Sequence, residues 1–478
     1  MAFRCPADCQ EEFLLSPYTV GDKKVAYEPL VIGGPASDQA AVDNAAYRAD
    51  SFICASAIHV GLFRASAGGC GVLSFEGAQP AFGSSNRHGL HSTGFDSYFP
   101  SSFSFVPGSN LNGACKDPRW TLLVVSVLYT TILSLFTADA AVFFWSMFVM
   151  LFFHVSFASD PPSPMNYYDI LSISFGNFLP AAFCAWVTYR YTVKRSLENL
   201  TAQVEKTVLW LGPAWVGALN NVTFDRLPLQ RLTPSDISSQ PGAIPTLVSI
   251  VLIIFFIALS QAWSFRIEGR MPRYLLLYAI LVLSILVMVA LPGESLRLHH
   301  YILALLLIPG TSFQNRTSLL YQGLLFGLFI NGTAKWGYAS ILETPAALLQ
   351  GAPRGSLLPP ISVLTIGASD ITFDLGKLPV KENKTGIIYD AVSVLVNDVE
   401  RTREWLDGVD VSNGNISWKW VRHEDEDVET TLAEVNGEST RERLFNEYFR
   451  FAYVSRGVFG DFTDAGVWQA DGQWIAPS

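Results

Sequence analysis

The sequence predicts a multi-domain membrane protein. It comprises an α+β domain, an all-α transmembrane bundle of 7–8 helices, and a C-terminal antiparallel β-sandwich. Three observations carry this. Trp120 to Tyr338 is a series of long apolar runs with almost no charge inside them. Cysteines 5, 9, 54, 70 and 115 precede that block, Cys184 lies within it, and none follows it. Beyond Leu349 the composition shifts to short stretches in which apolar and polar residues alternate. Across the chain 50% of residues are hydrophobic and 15% are charged, as expected of a polytopic membrane protein. The net charge of −10, with no concentrated basic face to offset it, excludes nucleic acid as a partner. The expected boundaries are 1–105, 119–340 and 359–478, with linkers over 106–118 and 341–358.

In the first domain, strand-like pieces at Tyr18-Thr19-Val20-Gly21 and Val72-Leu73-Ser74-Phe75 flank one helical stretch from Asp50 to Phe63. Phe52, Ile53, Cys54, Ala55, Ala57, Ile58, Val60 and Leu62 make that helix apolar almost all round, so it belongs in the middle of a domain. Clustered cysteines ahead of the membrane block point to an oxidising lumen or exterior. Five is an odd number, and Met1-Ala2-Phe3-Arg4-Cys5 offers no apolar leader. The expectation is an N-terminally incomplete version of a longer protein, which would carry a signal or anchor and at least one more cysteine.

Cys5-Pro6-Ala7-Asp8-Cys9, the run Tyr47-Arg48-Ala49-Asp50-Ser51-Phe52-Ile53-Cys54-Ala55-Ser56-Ala57-Ile58-His59-Val60-Gly61, and Gly68-Gly69 resemble the LCCL domain. His88-Gly89-Leu90 and Phe103-Ser104-Phe105 look like its closing segment. The resemblance implies a central helix wrapped by β-sheet and a disulfide between Cys9 and Cys54, with the partner of Cys5 lying upstream. It leaves Cys70 and Cys115 open. Joined to a multi-span block and a β-rich tail, the domain resembles the LCCL membrane proteins of fungi, which implies a polysaccharide or lipid ligand outside the cell. His59, on a buried helix with no paired nucleophile, reads as a hydrogen-bonded structural histidine. Ser85 to His91 reads as a polar loop, since no third metal ligand accompanies its histidines.

In the middle block, Trp120 to Ala158 holds Asp139 as its one charge and is long enough for two crossings that break at Thr137 to Ala140. Ile170 to Tyr189 follows, with Pro180 predicting a kink rather than a stop. Ile244 to Phe265 and Tyr274 to Leu291 are clean spans. Leu298 to Asn315 begins with His299-His300 and contains Pro309-Gly310. Thr317 to Ala334 carries Gly323 and Gly327 at GxxxG spacing, suited to a close helix contact and so to oligomerisation, with Asn331 able to hydrogen-bond across it. Arg190, Lys194 and Arg195 after the third span and Arg266, Arg270 and Arg273 after the fourth both call for the cytosolic side, and one intervening crossing puts them on opposite sides. Thr207 to Phe224, rich in Trp but holding Pro213 and several glycines, is either an eighth crossing or a re-entrant segment. With eight crossings an outside N-terminus gives an outside C-terminus; with seven the tail is cytosolic.

In the tail, Ile416, Trp418 and Trp420 alternate with Ser417 and Lys419, Phe449, Phe451 and Tyr453 with Arg450 and Ala452, and Val392, Val394 and Val396 share a face. This predicts a β-sandwich of fibronectin III or immunoglobulin-like kind. His423 to Asp427 reads as a solvated hairpin tip, because calcium-ligand spacing is not met. The glycosylation candidates are Asn383, Asn415 and Asn221; the sequon at Asn331 lies within a span. No catalytic, cofactor or metal site is expected. His154, His299, His300 and Asn331 are the intramembrane polar candidates, with the histidines expected as interface anchors near span ends. The function expected is display of the LCCL-like domain for carbohydrate or lipid recognition. The alternative is a transporter, channel or lipid-handling bundle with accessory domains, and an intramembrane enzyme comes last.

Overall fold

The computed structural model describes all residues except 36–45, 109–114, 116, 160–166, 230–231, 350–352, 377–387, 406–416, 423–444 and 478. The chain forms two compact units, one built from Met1–Lys116 together with Leu349–Ser478 and the other from Asp117–Leu348. The first and last domains, separated in sequence by the whole membrane block, therefore fold as one body.

In its N-terminal part, β1 (Ala2–Cys5), β2 (Tyr47–Arg48), β3 (Gly69–Glu76) and β4 (Ser102–Phe105) make an antiparallel sheet in the order β1-β3-β4-β2. Helix α1 (Ile53–Val60) packs on it and buries every residue from Ala55 to Val60. It is shorter than the sequence suggests at both ends. Phe52 is extended and Asp50 is held by side chains elsewhere, while Gly61 ends the helix at φ 88, its N–H bonding Ala57 O and Ile58 O. Tyr47, Leu73, Phe103 and Phe105 complete the core.

The C-terminal part has β5 (Ser362–Ile366), β6 (Asp370–Asp374), β7 (Ala391–Val396), β8 (Val399–Trp405), β9 (Ser417–Val421), β10 (Glu447–Ser455), β11 (Gly466–Trp468) and β12 (Trp474–Ile475). One sheet runs β5-β6-β9 and the other β8-β7-β10-β11-β12, all antiparallel. Ile371 and Phe373 of the first face Val392, Val394, Phe449 and Phe451 of the second in one core. The predicted alternation of β9 holds, with Ser417 and Lys419 exposed and both tryptophans turned inward. In β10 it fails. Every residue from Glu447 to Val454 is buried, so this strand is covered on both faces.

The second unit is helical. It contains α2 (Arg119–Phe136), α3 (Ala140–His154), α4 (Tyr167–Thr188), the segment 203–218 (α5), α6 (Ala243–Ile267), α7 (Met271–Val289), α8 (His300–Leu307) and α9 (Arg316–Asn331). Five helices are long and apolar enough to cross a membrane: Arg119–Phe136, Ala140–Ser159, Tyr168–Leu197, Ala243–Ile267 and Met271–Val289. The break expected after Thr137 is real. Asp139 Oδ1 accepts the Val142 N–H at 2.8 Å and starts the next helix. Only 6% of the apolar window of α6 and none of that of α7 is buried inside the protein, so these two helices are apolar on faces that no protein covers. Leu298 to Asn315 does not form one long helix. Proline 309 tightens the chain into a turn over Ile308–Thr311, and the apolar helical stretch is His300–Thr311.

α9 and α5 pack backbone to backbone. A Cβ at Gly323 would collide with the Trp210 carbonyl, and one at Gly327 with the Ala214 carbonyl. The GxxxG pair expected to serve oligomerisation is thus consumed within the chain, because both glycines are buried against α5. Gln322, fully buried, ties four segments together. It accepts from Ser196 Oγ (2.8 Å) and Trp210 Nε1 (3.0 Å) and donates to Thr311 O (3.2 Å).

Candidate functional site

In the N-terminal domain, β1 pairs with β3 as far as Cys5↔Gly69, which leaves the Cys5 and Cys54 Cα atoms 5.6 Å apart and bonded through sulfur. The expected Cys9–Cys54 bridge is corrected to Cys5–Cys54. Cys9 lies buried beside it, and the three sulfurs are all within 4.8 Å of one another. Cys70 and Cys115 form a second bridge. His59 is the structural residue its setting suggested. Its Nε2 donates to the Ser85 carbonyl at 3.3 Å, so Nδ1 accepts from the Tyr47 hydroxyl at 2.8 Å. His88 Nδ1 in turn reaches the His59 carbonyl at 3.2 Å, and Ser85 to His91 serves as a loop and short hairpin over the helix end.

The LCCL domain family matches residues 1–104. The Uncharacterized protein YIL067C of Saccharomyces cerevisiae is 35% identical over 497 residues, covering 99% of this chain and 71% of that protein. This chain belongs to that LCCL-domain family. No solved structure matches it.

Burial lowers the pKa of His59, and the Arg87 charge adds to this against the Ser85 carbonyl. The fold therefore favours neutral imidazole. At alkaline pH both folded and unfolded chains are neutral there; below about pH 6.5 the unfolded chain takes up the proton first, and stability falls until the lower, folded pKa is passed. Glu447, whose pKa burial raises, works in the opposite sense as acid is added. The His59 share is read as a difference. The melting temperature of wild type should drop between pH 7 and 5.5 by more than that of His59→Gln; parallel curves would refute it.

The LCCL domain is joined to the sandwich by a buried charge cluster that sequence reasoning missed. Arg48, wholly buried, donates from Nε and Nη2 to Asp50 (2.9 and 2.8 Å) and from Nη1 to Asp398 of the sandwich (2.9 Å). Asp398 also accepts from Arg450 Nη2 (2.6 Å) and the Gly21 N–H (2.9 Å). The Arg48 guanidinium sits 4.7 Å from the Phe95 ring centroid and 4.5 Å from that of Phe99. Tyr448 of β10 inserts among Val20, Val25, Ile32, Phe82 and Phe95, and its hydroxyl donates to Asp96 at 2.5 Å. This junction explains why β10 is covered on both sides. Phe449, Phe451 and Tyr453 fill the sandwich, while Tyr448 and Arg450 meet the LCCL domain. The available signal was Arg450, a lone cation in an apolar strand.

The intramembrane candidates do not converge. His154 is buried rather than anchored at an interface. Its Nδ1 bonds Ser126 Oγ at 3.0 Å and its ring meets Trp215 edge-on at 5.1 Å. His299 is half-buried and stacked on Tyr301, and His300 is exposed. Asn331 donates to the Ala218 carbonyl at 2.9 Å, which is the cross-helix bond expected of it. Among the described residues, the acid, histidine and cysteine groups close enough to share a metal are Cys5, Cys9 and Cys54 alone, two of which form the disulfide. Asn221 follows α5 at a half-buried position. Asn383, Asn415 and His423 to Asp427 lie outside the described residues.

Proposed function

We propose that this chain is a multi-pass membrane protein that displays its LCCL domain outside the cytosol, fused to the β-sandwich as a single recognition head for a carbohydrate or lipid. The observation that carries the reading is the junction itself. Two domains at opposite ends of the chain share buried ion pairs and an apolar core, which is what a rigid platform for a ligand requires. Two disulfides ahead of the helical unit, one within the LCCL domain and one tying it to Cys115 beyond it, suit an oxidising compartment, and five helices can cross a bilayer. A transporter or lipid-handling role is the second reading, favoured by a polar network inside the bundle larger than a tether needs.

The test uses the full chain in nanodiscs against immobilised polysaccharides and against vesicles of varied lipid composition. Capture that is lost when the LCCL disulfides are reduced supports recognition. No capture at any composition, together with substrate movement across vesicles by the same protein, would replace it with the second reading.

A further inference from the structure

We propose that residues 203–218 cross the bilayer completely, so that the chain crosses it eight times and both halves of the head stand on the same side. This rests on the membrane reading above and decides between the seven- and eight-crossing alternatives.

Two independent sets of contacts lead there. The first is the head. Arg48 and Asp398 belong to one folded unit and touch at 2.9 Å, and a single folded body cannot be divided by a bilayer. The number of crossings between Lys116 and Leu349 is therefore even.

The second set lies inside the helical unit. To the five long helices it adds α9 and the shorter α8 stretch, whose Tyr301 hydroxyl donates to Ala339 O at one end (3.0 Å) and whose following Ser312 Oγ accepts from Arg270 at the other (2.7 Å), and it shows that 203–218 supplies the eighth crossing. At its start, 203–218 meets one layer of helix ends. Lys206 Nζ donates to Thr137 O, in the turn between α2 and α3, at 2.6 Å, and Glu205 lies 3.8 Å from Arg316 at the start of α9. The same layer holds Arg195–Glu268 (3.2 Å), and Gln314 donates to Glu198 O at 3.0 Å. At its other end it meets the opposite layer. The Ala218 carbonyl accepts from Asn331, at the end of α9, and beside it Ser156, past the end of α3, donates to the Ala334 carbonyl at 3.1 Å. One end touches where α9 begins and the other where α9 ends, so the segment runs the depth of the bundle antiparallel to α9. At 1.5 Å per residue, 203–218 reaches about 24 Å, the same length as the 16 residues of α9 that it runs beside.

Charge agrees with the parity. With this crossing in place, Arg190, Lys194, Arg195, Arg266, Arg273 and Arg316 all fall on one face, the cytosolic one. The conflict between the two basic clusters disappears. Proline 213 does not break the segment because it stands at the first turn of Gly212–Ala218, after a π-helical turn over Thr207–Leu211 has re-set the hydrogen-bond ladder.

The experiment inserts a short epitope tag into the full chain at one of four positions, each expressed in microsomes and exposed to protease before and after detergent. Gly89 (LCCL domain), Gly269 (turn between α6 and α7) and Gly355 (ahead of β5) have open space where a side chain would go, and Arg226 follows α5 on an exposed turn. Tags at 89, 226 and 355 should be protected in sealed microsomes and the tag at 269 digested. Opposite fates at 89 and 355, or digestion at 226, would overturn the proposal. Release of the whole chain by alkaline carbonate would instead overturn the membrane reading beneath it, so the two failures are distinguishable.

Discussion

Replacing Asp398 with alanine is expected to cost about 3–5 kcal/mol and to part the LCCL domain from the sandwich, because it leaves Arg48 and Arg450 buried with an acceptor removed from between them. Asp398 adopts a left-handed backbone (φ 64), reserved at low cost for Asn, Asp and Gly, so Asp398→Asn keeps the backbone and removes only the charge. Limited proteolysis of the full chain is the readout. The alanine variant should be cut between the domains at a protease concentration that leaves wild type whole, and the asparagine variant should fall between. A double-mutant cycle with Arg48→Met sharpens this. If the two side chains act as one unit, the double variant is less damaged than the sum of the singles, since it no longer buries an uncompensated guanidinium beside Asp50. Additive losses would show that the two side chains act independently, and an alanine variant as resistant as wild type would show that the apolar contacts of Tyr448 hold the junction alone.

Gly323→Leu is expected to be as damaging in the bundle, by more than about 3 kcal/mol, since the obstacle to its side chain is the Trp210 backbone and not a flexible side chain that can swing away. The variant should aggregate on detergent extraction where wild type stays monodisperse. Gly176→Leu supplies the control. That glycine lies in α4 with open space around it, and leucine there should be tolerated. Equal behaviour of the two variants would mean that α9 and α5 are not packed as closely as the structure has them. The polar hub beneath them is a weaker contributor. Hydrogen bonds between membrane helices are worth about 0.6 kcal/mol each, so the three at Gln322 together matter less than one blocked glycine.

Legibility followed the range of the interaction. The all-round apolar character of Ile53 to Val60 marked a buried central helix, and the alternation of Trp418 and Trp420 marked an inward face. Both signals are local, because periodicity alone sets which side of an element faces a core. The glycine pair was legible as a close contact but not as an internal one, since spacing says that a helix approaches and not whose. The disulfide was misassigned for a similar reason. Cys5 and Cys9 are four residues apart, and only the pairing register of β1 with β3 selects which of them bonds Cys54.

By itself the sequence determined the three-part composition, the LCCL motifs and the lipid-compatible helices. Each of these is encoded in runs of neighbouring residues. The tertiary structure decided that the two ends of the chain close on one another and that Arg450 faces a buried partner instead of water. It also decided that residues 203–218 reach from one layer of helix ends to the other. Those outcomes depend on groups up to 377 positions apart, and their burial removes water from charges whose pairing no local pattern records.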